Sequence, residues 1–168
     1  MDQSGNMPDV HSPPTRSRNM AAIRGRDTKP ELLVRKGLHA MGFRFRLHNN
    51  KLPGRPDLSL PKYRAVIFIN GCFWHGHNCP MFRLPETRAG FWLEKLRANA
   101  ERDRLNICRL QEMSIRIATV WECALKGPGA PGLEATLQAL NDWLPSDVEA
   151  IVLKGAQAGD GVSPLLLS

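Results

Sequence analysis

The stretch Gly71-Cys-Phe-Trp-His-Gly-His-Asn-Cys79 carries more chemistry per position than any other part of the chain. It holds two cysteines and two histidines within eight positions. Zinc takes four thiolate or imidazole donors in a tetrahedron, so this donor set suits it. Cys72, Cys79 and one histidine supply three donors, and spacing leaves open whether that histidine is His75 or His77. Cys123 follows an expected strand and is placed to supply the fourth. Four protein donors close a site, which makes the ion structural. The competing readings are reduced core thiols and a redox switch. Donor density in an otherwise unsupported loop favours zinc. Cys108, in the middle of an expected helix, reads as a buried core thiol.

A second set of residues suits phosphodiester chemistry. Asp57 follows Pro53-Gly-Arg-Pro56 at the start of an expected strand, where a carboxylate can hold Mg²⁺ through oxygen and leave room for water and phosphate. An Asx-turn aspartate is the plainer alternative. Glu31 is either an acid near that metal or the glutamate of a capping box. His75 can act as general base if His77 takes the zinc, provided a partner orients it. Phe73 and Trp74 either pack around the zinc or form an aromatic wedge that unstacks a base step. Trp92 is core or a second wedge. The arginines of the N-terminal stretch would hold phosphates.

These groups need elements to position them. Thr28-Lys-Pro-Glu31 has capping-box spacing with an early proline, so a helix begins there. Leu32, Leu33, Leu38 and Met41 form its expected apolar face, and Gly42 its stop. Phe43, Phe45 and Leu47 alternate with arginines as in a half-buried strand. A loop from 48 to 56, a short strand over 57–60 and a continuous apolar strand over 65–69 follow. A long helix is expected from 89 to 113, with Trp92, Leu96, Leu105, Ile107 and Leu110 as buried positions. A strand over 115–121 and a closing helix through Leu133, Leu137, Leu140 and Trp143 complete the pattern. This order implies an α/β layered domain with a mixed sheet.

The 168 residues suit one domain with a sizeable core. A net charge of +7 fits either a polyanionic partner or simply a solvated basic surface. No apolar run is long enough for a membrane span. The N-terminus lacks the pattern of a secretory leader, so a cytoplasmic, nucleoid-associated protein with reduced thiols is expected. Residues 1–26 read as a mobile basic arm, 27–145 as the catalytic domain and 146–168 as a Gly-rich C-terminal tail.

Several stretches coincide with one family: Thr15-Arg-Ser-Arg-Asn-Met20, Arg26-Asp-Thr28 with Glu31, Leu52-Pro-Gly-Arg-Pro-Asp57, Val66-Ile-Phe68, Gly71-Cys-Phe-Trp-His75, Phe91-Trp-Leu-Glu-Lys95, Glu101-Arg-Asp-Arg104 and Val120-Trp-Glu-Cys123. In order and spacing the chain resembles the very short patch repair (Vsr) DNA mismatch endonucleases over about residues 15 to 144. The resemblance implies a restriction-endonuclease-like, three-layer fold with a central mixed sheet and a structural zinc loop. It implies a Mg²⁺-dependent nick 5′ to the thymine of a T·G mismatch in duplex DNA. Asp57 and the Ile69 backbone carbonyl would hold Mg²⁺, His75 would activate water, Glu31 would act near the metal waters and Asp103 would support His75. Cys72, His77, Cys79 and Cys123 would hold zinc. Phe73, Trp74 and Trp92 would wedge into DNA, with Met20, Arg16, Arg18, Arg24 and Arg26 approaching from the other groove. Other mismatch-repair proteins are the implied partners. A monomer is expected, because a single-strand nick needs one active site.

The chain departs from the family pattern at Ile69-Asn70, where the family has Thr-His, and in its His-Gly-His-Asn loop, where the prototype has a run of histidines. It also lacks the acid-x-Lys of related nucleases on this strand, so the chemistry rests on His75. A restriction-type nuclease with another target and a non-catalytic, zinc-bearing DNA-binding module are the alternatives.

Overall fold

The computed structural model describes residues 25–156. Its centre is a five-stranded mixed sheet in the order β1-β2-β3-β4-β5: Arg46–Leu47, Leu58–Leu60, Ala65–Asn70, Arg116–Trp121 and Ala150–Leu153. The first two pairings are antiparallel and the last two parallel. Four α-helices accompany it: α1 (Lys29–Ala40), α2 (Ala89–Glu112), the single turn α3 (Glu122–Leu125) and α4 (Leu133–Trp143).

The central strands alternate between two cores, as the two-residue period of a pleated strand demands. Ala65, Ile67 and Ile69 of β3 and Ala118 and Val120 of β4 pack with Val34, Leu38, Leu140 and Trp143 of α1 and α4. Val66 and Ile117 point the other way, against Leu110 of α2, with Phe68 and Ile107 beside them. Helices therefore cover both faces, which is why β3 reads as an unbroken apolar run. The two helices on the first face approach closely at Gly37, where a Cβ would lie 2.2 Å from Leu137.

Helix α1 begins as its capping signal requires. Thr28 is the N-cap, its hydroxyl accepts from the Glu31 amide, and a proline occupies the first turn. Its buried face differs from expectation. Glu31, Val34 and Leu38 point inward, whereas Leu32, Leu33 and Met41 are exposed. The phase is set by packing against α4, and the 31–34–38 spacing is the helical stripe that packing selects. The strand expected through Phe43, Phe45 and Leu47 shrinks to Arg46–Leu47, because only those residues pair with β2. Leu105 is exposed, and Cys108, expected in the core, is half-buried beside an open groove.

Strand β5 falls where the sequence suggested only a tail after residue 145. Its four residues alternate between exposed and half-buried, the pattern of an edge strand; they are all apolar, but a run of only four is too short to specify a strand. Among the described residues no helix is long and apolar enough to cross a membrane.

Candidate active site and metal centre

The parallel register of β3 and β4 builds the site. Asn70 pairs with Trp121 at the shared C-terminal end of the two strands. Two residues beyond each strand end stand Cys72 and Cys123, so the register itself brings these distant cysteines together. Cys79 and His77 join them. One donor atom from each of the four lies within 4.8 Å of all the others. The three cysteines are buried and unbridged. His77 Nδ1 lies 3.6 Å from Cys123 Sγ, and its ring stacks on Trp121 at 4.0 Å between centroids.

The electrostatics of this group suit a dication. Burial pushes the Cys72 and Cys123 thiols above their ordinary value, and the neighbouring Cys79 raises both further. Burial, aided by the Lys154 charge, pulls His77 below its usual value and keeps its imidazole neutral. Without a cation the cluster is neutral thiols, whereas a bound divalent ion would draw the protons off. Three thiols and a neutral imidazole at this mutual distance fit zinc.

His75, two residues away, turns elsewhere: its Nδ1 pairs with the Asp103 carboxylate of α2. The structure thereby separates two histidines that spacing could not distinguish. Asp103 belongs to the inward stripe Leu96, Asn99, Asp103, Asn106 and Leu110, whose three- and four-residue steps keep one helix face toward the sheet. Asn99, which the sequence reading passed over, donates from Nδ2 to the Trp74 carbonyl at 2.9 Å and ties the loop to the helix.

Asp57 stands one residue before β2. The preceding loop passes tightly beneath it: Gly54 has a φ of +73°, and a Cβ there would meet Phe68 and Asn106 at 3.1–3.2 Å. Asp57 Oδ2 accepts the Ile69 amide at 2.7 Å. Desolvation pushes the Asp57 carboxyl up to about 6, against the pull of the Ile69 hydrogen bond; Glu31 adds to the rise, while His48 and His75 oppose it. A carboxylate already costly to ionise gains more from a bound cation than an exposed one.

Glu31 is 3% exposed, yet its carboxylate is satisfied. It accepts from the Asp27 amide at 2.9 Å and the Thr28 hydroxyl at 3.0 Å. It caps α1, and it also lines the groove with Asp57.

His48 is the residue the sequence reading missed, leaving it in a loop. The β1–β2 register pairs Leu47 with Leu58, so His48 falls opposite Asp57 and donates its amide to the Asp57 carbonyl at 3.1 Å. Its ring stands 3.9 Å from Asp57 Oδ1 and 3.8 Å from both Glu31 Oε2 and Asp27 Oδ1. Only the pairing of β1 with β2 could have signalled this.

Asp57, Glu31, His48, His75 and Asp103 all open on one groove of about 1180 Å³. Its basic lining includes Arg26, Arg55, Lys95, Arg102 and Arg104. Trp74 lines it too, within an aromatic cluster: Phe73 lies 5.1 Å from Trp74 and 5.2 Å from Trp92 between ring centroids. Lys95 Nζ sits 5.4–5.5 Å over Trp92 and Trp74. These rings are half-buried and pack mainly on one another. Met20, Arg16, Arg18 and Arg24 lie outside the described residues.

Comparison with known proteins bears directly on this arrangement. The profile of the family described as DNA mismatch endonuclease Vsr matches residues 8–81. The chain is 49% identical over 138 residues to the DNA mismatch endonuclease Vsr of Escherichia coli (strain K12), covering 82% of this chain and 88% of that protein. The chain belongs to the Vsr family of DNA mismatch endonucleases. The type II nicking enzyme V.XorIIP of Xanthomonas oryzae is 44% identical over 136 residues, spanning 81% of this chain and 98% of its own. The type II nicking enzyme V.NmeAIP of Neisseria meningitidis is 44% identical over 120 residues, 71% of this chain and 86% of its own. Membership of this nuclease family implies a divalent metal and a DNA substrate.

Proposed function

We propose that this protein nicks one strand of duplex DNA 5′ to the thymine of a T·G mismatch, as the endonuclease of very short patch repair. The observation that carries the reading is the groove itself. It gathers the His75–Asp103 pair, Asp57 and Glu31 under a half-buried aromatic cluster, in a chain of the Vsr family.

Asp57 is the ligand for Mg²⁺, with the Ile69 backbone carbonyl beside it. When bound there, Mg²⁺ supplies positive charge to the scissile phosphate and the departing oxygen. His75 takes the proton from the attacking water through Nε2, while Asp103 holds Nδ1 and steadies the imidazolium that forms. Glu31 orients water next to Asp57. Cys72, His77, Cys79 and Cys123 hold a structural zinc that keeps His75 and the aromatic loop in place. The layout, helices on both faces of a mixed sheet with acids at one end, is consistent with a restriction-endonuclease-like fold.

Phe73, Trp74 and Trp92 enter the base stack beside the mismatch. A weak pair is cheaper to unstack than a Watson–Crick pair, so deformation energy discriminates between them. Arg26, and the basic segment 1–26 with Arg16, Arg18, Arg24 and Met20, add phosphate and groove contacts. The catalytic unit takes in 27–145 and, because β5 completes its sheet, continues through Gly155. The protein acts as a monomer in the cytoplasm, alongside other mismatch-repair proteins.

The test is cleavage of a labelled duplex with one T·G pair beside its T·A control, with and without Mg²⁺. Mg²⁺-dependent nicking of only the thymine strand is the expected result. Equal cutting of both duplexes would refute mismatch recognition, and no cutting in any sequence context would leave a DNA-binding module.

A further inference from the structure

The chain that leaves β5 does not drift into solvent. Val120 of β4 pairs with Leu153 of β5 in parallel, and two residues past the end of β5 Gly155 lies against Cys123, which stands two residues past the end of β4. Gly155 is buried, and its amide donates to Cys123 Sγ at 3.3 Å. A Cβ at Gly155 would stand 2.4 Å from the Cys123 carbonyl oxygen and 3.2 Å from its carbon. Those are backbone atoms of a ligand residue, so they have little freedom to give way. Beyond it, the Ala156 amide donates to the Gly129 carbonyl at 3.1 Å. The sulfur is thus fixed from the far side by a segment that the function described above does not use.

The Gly155 amide donates to Cys123, one of three buried, unbridged cysteines gathered at the site. Such N–H···S bonds withdraw electron density from a thiolate and hold its lone pairs in one direction, and outer partners of this kind orient metal ligands. We propose that Gly155 is a positioning residue of the metal centre. Its amide holds the Cys123 sulfur toward the shared site, and its missing side chain lets the C-terminal strand close against that ligand. The ion in turn ties edge strand β5 to the rest of the sheet. This inference rests on the reading that the Cys72, His77, Cys79 and Cys123 group holds zinc.

The test uses the full-length protein with the residue 155 amide replaced by a backbone ester, beside Gly155→Ala and unmodified protein. The ester removes the N–H while adding no atom that could clash. The readouts are zinc affinity by competition with a chromogenic chelator, and the sulfur-to-metal charge-transfer band after substitution with Co²⁺. The expected result for the ester is roughly 10- to 100-fold weaker zinc binding and a band moved to lower energy, because the sulfur becomes more electron-rich. Gly155→Ala should also bind zinc more weakly. An ester variant with unchanged affinity and an unchanged band overturns the proposal. Unmodified protein that neither carries zinc nor takes up Co²⁺ overturns the zinc reading itself, and is recognised separately because it fails before any variant is compared.

Discussion

Replacing Asp57 by asparagine should stabilise the magnesium-free protein while abolishing its nicking activity. The reasoning starts from the desolvation of this carboxyl, which raises it from 3.8 to about 6. A carboxyl with a raised folded pKa binds more protons folded than unfolded between those two values. Stability is therefore lost as pH climbs through that window, and the loss is complete above about 6. At about 1.4 kcal/mol per pH unit, the ionised carboxylate costs the fold about 3 kcal/mol at pH 8. Asparagine keeps an oxygen for the Ile69 amide but accepts more weakly than a carboxylate, which returns about 1 kcal/mol. The net gain should be about 2 kcal/mol, or roughly 4–8 °C in Tm for a chain of this size.

The assay is thermal unfolding of both proteins from pH 4 to pH 8, with zinc retained and magnesium omitted. The difference between them should be small at pH 4 and grow to its full value above pH 6. Added Mg²⁺ should then favour the native protein alone, by about 1.4 kcal/mol at ten times its Kd. A variant no more stable than native protein at pH 8, or a gain that does not change with pH, would refute the argument.

Other substitutions probe separate parts of the site. Asp103→Asn should lower kcat by on the order of 10²-fold with little change in KM for the DNA, because the pair with His75 orients the general base and does not bind substrate; steady-state nicking kinetics decide this, and a change confined to KM would count against it. Trp74→Ala should narrow the difference in nicking between T·G and T·A duplexes while circular dichroism stays unchanged, since this ring lines the groove outside the main core. Gly37→Val should cost about 1–3 kcal/mol in urea unfolding, because its side chain would overlap Leu137 where α1 meets α4. A neutral result there would mean that the two helices slide apart freely.

Much of the site was legible in the order of residues because donor chemistry is a local property. Cysteine and histidine density announced the Cys/His cluster, whereas position alone left Asp57, now found lining the groove, as easily an Asx-turn residue. The cap of α1 was legible for the same reason, since Thr28 and Glu31 lie within hydrogen-bond reach along one turn. The buried strands β3 and β4 and the helices α2 and α4 followed from periodicity. The inward face of α1 did not: exposed Leu32 and Leu33 look more apolar than buried Glu31, and only packing against α4 sets the rotation. Strand β5 escaped because Ala150–Leu153 is an apolar run of only four residues without polar alternation, too short to specify a strand.

The sequence by itself determined which groups are present to do chemistry: thiols and imidazoles, carboxylates, and the aromatic rings beside them. The tertiary structure decided which of these groups meet. Strand register carries Cys72 to Cys123 and His48 to Asp57, the chain beyond β5 carries Gly155 to Cys123, and helix phase carries Asp103 to His75. Register and phase are settled by what packs on the opposite face of the sheet, at separations of tens of residues, and no short stretch of sequence contains that information.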